Sequence, residues 1–179
     1  TFGALTLPAG WSVTFRNAAN SVITNTGVVA AGAATLVYAD VDVPAGAAAA
    51  DVDLFFRALS TVSGALDRIH DQVRVSVVRS LTLVPNNSAQ VAPGGFVVYT
   101  HMLTNTGNVL EGDATGSFVS LAMGNDQAGW SSALYWDTNS SGVFDGGDGP
   151  IADLSTIGGL APGASVRLFV QVFAPAGAP

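Results

Sequence analysis

"DQVRVSVVRSLTLV", residues 71–84, decides the fold class. Val73, Val75, Val77, Leu81 and Leu83 fall on one parity, and Arg74, Ser76, Ser80 and Thr82 fall on the other. A period of two sends alternate side chains to opposite faces of an extended chain, so the stretch is expected to be half-buried strand. "SVRLFVQVFAP" repeats the pattern, with Val166, Leu168, Val170 and Val172 on one face. "ATLVYADVDVP", "DVDLFFRALS", "GGFVVYTHMLTNTG", "TGSFVSLAM" and "WSSALYW" read alike. Val, Thr, Tyr, Phe and Trp fill these runs, and Gly, Pro, Asn and Asp punctuate them. "PAGAAAADVD" holds Pro44 and Gly46 and reads as loop. "STVSGALDRIHD" carries the weakest strand signal, with a short helix as the alternative. About ten short strands between turn signals predict an all-β chain of sandwich modules.

Composition narrows the function classes. The chain has 179 residues, of which 49% are hydrophobic and only 11% charged. The charged share of soluble domains is nearer 25%, so this chain is expected to bury apolar surface in its own core and against neighbours. Its net charge is −7, and all six basic residues are Arg. A nucleic-acid surface needs clustered cations to displace counterions, so no nucleic-acid partner is expected. There is no Cys, which excludes disulfides and thiolate metal sites. No run reaches the roughly 18 apolar residues of a membrane span, so no direct span is expected.

Internal similarity sets the organisation. "PAGWSVTF" at 8–15 matches "QAGWSSAL" at 127–134, and "AAGAATLVYADVDVPAGA" at 30–47 matches "APGASVRLFVQVFAPAGA" at 161–178. Trp11 and Trp130 are offset by 119, and Pro44 and Pro175 by 131, so the second copy carries 12 extra residues between these anchors. The expected division is 1–79, the later strands of one module, and 80–179, a second module with the insertion. Neither half has a full strand complement. Either further modules of one longer chain or neighbouring copies would supply the missing strands, possible by strand exchange through "TFGALTLP" or "LFVQVFAPAGAP". "VRVSVVRSLTLVPN" enters the second module without a Gly/Ser linker, so a stiff joint is expected.

"VAPGGFVVYTHMLTNTGN" and "GWS…LAPGASVRLFVQVFAPAGA" carry a family resemblance. They resemble the "conserved repeat domain", domain of unknown function eleven, whose immunoglobulin-like modules are strung along bacterial and archaeal surface proteins. The resemblance covers about 1–50 and 81–179, and Asn-Thr-Gly-Asn after a Tyr strand is its most specific element. It implies tandem immunoglobulin-like β-sandwich modules, an extracellular or cell-surface location, and a structural or adhesive role.

The insertion contains "DTNSSGVFDGGD", residues 137–148. Asp137, Asn139, Ser141, Val143, Asp145 and Asp148 occupy positions 1, 3, 5, 7, 9 and 12 of a calcium loop, with Gly142 at the sharp turn. Calcium takes six to eight hard oxygens, and here they would be three carboxylates, an amide, a hydroxyl and a main-chain carbonyl. Ser141 and Asp148 depart from the stronger pattern, so a weak structural site of about 10⁻⁴–10⁻³ M is expected. A metal-free Asx-rich turn is the alternative.

Other residues point less far. His70, Asp71 and His101 lack a nucleophile held by an oriented base, so no enzyme is expected. Trp11 and Trp130 recur at matched positions, which suits a core role, whereas Trp136 beside the loop is the candidate sugar platform. Asn86-Asn87-Ser88 and Asn139-Ser140-Ser141 fit the glycosylation acceptor pattern. The sequence thus leads to a structural subunit of a filament, stalk or surface layer, with a carbohydrate-binding sandwich as the alternative.

Overall fold

The computed structural model describes residues 1–178, and those residues are all-β. The strands are β1 (Phe2–Ala4), β2 (Ser12–Asn17), β3 (Val37–Asp42), β4 (Ala50–Leu59), β5 (Leu66–Val75), β6 (Leu81–Val84), β7 (Phe96–Asn105), β8 (Ser131–Trp136), β9 (Gly149–Pro150) and β10 (Ser165–Phe173). A 3-10 turn at Leu154–Ile157 is the single helical element among the described residues. Every strand pairing is antiparallel, and the sheets are open. No helix is long and apolar enough to cross a membrane among the described residues.

The chain divides into two compact units, Thr1–Ser76 and Val77–Pro179. Pro179, the last residue of the expected second module, lies outside the described residues. The first unit has a three-stranded layer, β1-β4-β5, and a two-stranded layer, β2-β3. Phe15 of β2 joins them: its ring lies 5.4 Å from Phe2 and meets Phe56 edge-on at 5.9 Å. Alternation along β4 buries Leu54 and Phe56. "STVSGALDRIHD" contains no helix. Ser60 N–H donates to Ala65 O and Gly64 N–H to Ser60 O, closing the turn from which β5 starts. Gly64 has φ +74°, a conformation that most side chains resist, so glycine serves here.

The second unit is one five-stranded sheet, β6-β7-β10-β8-β9. Leu103, Leu134, Val166 and Leu168 gather on its inner face with Ile151, Leu154 and Leu160. The cover is not a second regular sheet. "TGSFVSLAM" was expected as a strand, yet it forms only the isolated bridge Ser120–Asp153, and a second bridge links Glu111 to Leu160. Its alternation is still used, because Val119 and Leu121 pack on the core. Leu121 N–H donates to Ala152 O, and Leu154 N–H donates to Val119 O.

Two strand pairs coincide in register. In β2–β3, Ser12 faces Asp42, Phe15 faces Ala39 and Asn17 faces Val37. In β8–β10, Ser131 faces Phe173, Leu134 faces Val170 and Trp136 faces Leu168. The six pairs of β2–β3 fall on the six pairs of β8–β10 under the offsets read between the Trp and Pro anchors. The flanks agree as well. A Cβ on Gly10 would touch Pro44 Cγ at 3.5 Å, and one on Gly129 would touch Pro175 Cγ at 3.4 Å. The bridge Arg16–Val22 matches the pair Tyr135–Pro150. Six positions separate the first two residues and fifteen the second two, so nine of the 12 extra residues lie between β8 and β9.

The long alternating stretch is divided. β5 ends at Val75, β6 begins at Leu81, and 76–80 belong to no strand. Of the two terminal segments, β1 is the edge strand of its sheet with one side open, while β10 is interior. β1 pairs with β4, and β10 is bonded along both sides, to β7 and β8. Both termini are held because their alternating runs find partners inside their own units.

Candidate metal centre and the anchoring turn

The loop 137–148 joins β8 to β9 and lies against the outer face of β10. Register creates its first contact. Leu168 faces Trp136, so the next pair along the ladder brings Arg167 beside Asp137, and Asp137 N–H donates to Arg167 O at 3.1 Å. Arg167 Nη1 then donates to Asp137 Oδ2 at 2.8 Å. Ser141 N–H and Gly142 N–H also donate to Asp137, at 2.9 and 3.0 Å. Burial pushes the Asp137 carboxyl upward, but Arg167 and these two amides outweigh it and hold the group below its ordinary range. Gly142 has φ +81°, so the turn favours glycine, and a Cβ there would crowd Arg167 Nη1 at 3.0 Å.

The other expected ligands lie in the same loop. Asn139 Oδ1 accepts from Ser141 N–H at 2.9 Å, and Asn139 Nδ2 donates to both oxygens of Asp145 at 3.2 Å. Ser141 Oγ donates to Val143 O at 2.8 Å. Asp145 Oδ1 accepts from Gly147 N–H at 2.7 Å, and Asp148 Oδ2 accepts from Asp145 N–H at 2.8 Å. The Gly147 amide and then Asn139 lower the Asp145 carboxyl's pKa, against a smaller upward push from burial. Asp148 Oδ1 is buried and has no hydrogen-bond partner.

These donors suit a hard cation in kind: all are oxygens within one loop, and one buried carboxylate oxygen is unpartnered. The protein's own hydrogen bonds also close the loop, with Arg167 on the first carboxylate, Asp137, and the Asn139 amide on Asp145 at position 9. No group of three or more acidic or His side chains is gathered at metal-binding distance among the described residues. Phe144 anchors the loop from within. Its ring lies 4.9 Å from Tyr135 and 5.8 Å from Phe169, which is fully buried. The partner role of Arg167 was not read from the sequence, although its place one step beyond the β8–β10 ladder was the signal.

A second constellation explains "NTGN". Asn105 is fully buried at the end of β7. Its Nδ2 donates to Val109 O and Leu160 O, both at 2.7 Å, and its Oδ1 accepts from Gly107 N–H at 2.9 Å. Thr106 N–H and Gly107 N–H donate to Ser80 O, and Asn108 N–H donates to Val78 O. Asn108 Oδ1 accepts from Val78 N–H at 2.7 Å. A Cβ on Gly107 would lie 2.3 Å from Val78 O. Glycine therefore lets the entry segment 78–80 lie directly on the turn. Arg79 Nη1 reaches buried Glu111 Oε1 at 3.0 Å, and its Nη2 reaches Gly116 O at 3.2 Å.

The remaining candidates are placed plainly. Exposed His70 stacks on Phe55 at 4.8 Å, and its Nε2 lies 3.0 Å from Asp53 Oδ1. His101 Nδ1 lies 2.9 Å from Pro85 O, in the other unit. Trp136 is partly buried against the core and does not form the exposed platform expected of it. No family model, curated protein or solved structure matches the chain.

Proposed function

We propose that this chain is a structural part of an extracellular or cell-surface assembly, built from immunoglobulin-like repeat modules and steadied by calcium at 137–148. One observation carries the reading. Among the described residues, four polar side chains are buried, Asn105, Asn108, Glu111 and Asp137, and each holds one chain segment against another. Buried polar groups used in this way fix a single arrangement of loops, as a building block requires. The coincident registers of β2–β3 and β8–β10 support the repeat reading, and the "NTGN" turn supports the family resemblance. Further copies or flanking modules of the same chain are the partners.

In the calcium loop, Asp137, Asn139, Ser141, the Val143 carbonyl, Asp145 and Asp148 would hold the ion. Bound there, calcium would offset two of the three carboxylate charges, with Arg167 offsetting the third, and would tie β8 to β9. Binding to the folded state alone raises stability by RT ln(1 + [L]/Kd), about 2.7 kcal/mol at a hundredfold excess over Kd. Sedimentation and thermal melting test the reading together. Millimolar calcium is expected to raise the melting temperature of the second unit and to favour association. Asp148→Asn keeps the shape and removes one ligand charge, so it is expected to abolish the calcium response. A chain that stays monomeric at every concentration, with one melting curve in calcium and in chelator, contradicts the proposal.

A further inference from the structure

The equivalence of two strand pairs identifies an unfilled strand position. In the second unit β10 has β8 on one side and β7 on the other. In the first unit β3 has β2 on one side, in the same register, and no strand on the other. The free groups can be named. Ile23 N–H donates to Phe15 O, and Asn17 N–H donates to Ser21 O, so residues 15 and 17 turn their main-chain groups away from β3. Their partners Ala39 and Val37 likewise turn away from β2, and Val41 follows by alternation. At the matching edge of β10, Asn105 N–H donates to Ala164 O, and Ala174 N–H donates to Gly95 O.

A second observation concerns the facing layer. Ile69 lies opposite Phe56 and shares its face, yet Ile69 is 58% exposed while Phe56 is buried. Three strands are opposed by two, and the narrower layer leaves apolar surface bare.

We infer that the free edge of β3 binds a strand of the β7 type, the extended segment exemplified by "VAPGGFVVYTHMLTNTGN" at 91–108, supplied by another repeat module. The inference deepens the assembly reading and rests on it for the source of the strand. The edge itself rests on the register match. β10 fixes how the strand would lie. Tyr99 faces Val170, His101 faces Leu168 and Val97 faces Val172, so their counterparts would face Ala39, Val37 and Val41. Those three residues share the face of Phe15, which points into the first unit's core. The added strand would complete the hydrogen bonds of β3 and widen the narrow layer, as in strand addition to a sheet edge.

A synthetic peptide of residues 91–108, added to the full chain, tests this. Hydrogen exchange is expected to show new protection of the Val37, Ala39 and Val41 amides. Backbone methylation separates the two edges of the peptide. Residues 95 and 105 bond towards β10, whereas Thr106 bonds towards Ser80. A peptide N-methylated at Val97, Tyr99 and His101 is therefore expected to lose binding, and one methylated at Val98 and Thr100 to retain it. No protection at 37–41, protection at β5 instead, or equal behaviour of the two methylated peptides overturns the inference. Peptide capture needs no cell surface, so capture without any surface assembly would overturn the proposed function and leave the edge assignment standing.

Discussion

At the scale of single residues, Asn105 does the most with the least surface. Its side chain closes the turn after β7 and ties two separate carbonyls to it. Asn105→Ala removes three hydrogen bonds; Leu160 O keeps the Glu111 N–H and Gly107 N–H keeps Ser80 O, while Val109 O loses the Asn105 amide, at a cost of roughly 1–3 kcal/mol to the second unit. Asn105→Asp turns an oxygen towards those carbonyls and is expected to cost more, although it changes one atom. Asn25, in the exposed "NTG" of the first unit, accepts from Gly27 N–H at 2.9 Å but carries no buried partners. Asn25→Ala should stay within about 0.5 kcal/mol of the parent. Denaturant unfolding of the three variants checks the ranking. The sequence marked "NTGN" as distinctive. It could not say why, because the partners Val78, Ser80 and Leu160 are brought there only by folding.

At the scale of elements, alternation located most strands and the matched segments. It failed where pairing depends on a distant partner. "TGSFVSLAM" alternates, but its neighbours form isolated bridges and no ladder. Residues 71–84 alternate except around Val78 and Arg79, and 76–80 leave the strand because Val78 and Ser80 bond to the turn at 105–108. The loop 137–148 was visible as a cation pattern, while its packing role was not: Phe144 covers Phe169 through ring contact at 5.8 Å. Replacing 137–149 by the shorter 18–21 connection, the equivalent link in the first unit, should preserve the β8–β10 ladder. It should uncover Phe169 at a cost of about 2 kcal/mol, the scale of one buried aromatic side chain, and remove any calcium response. Thermal melting in calcium and in chelator, with hydrogen exchange across β10, reads all three effects.

At the scale of the whole molecule, the low charge and high apolar content announced surface that its own fold would leave uncovered. Val28, Val62, Phe96 and Phe118 are among the large apolar residues that remain exposed. Which edges stay open was not legible, because terminal strands and interior strands share the same alternating pattern. Pairing decides it, and pairing leaves β3 with a free side while holding β10 on both. The central claim is that such units serve as parts of an ordered structure outside the cell. Electron microscopy of the source cells, labelled with gold-conjugated antibody raised against this chain, tests it most directly. The account predicts gold on the outer surface, at regular spacing along a filament, stalk or layer. Label confined to the cell interior, or scattered on the surface without any ordered structure beneath it, would contradict the account.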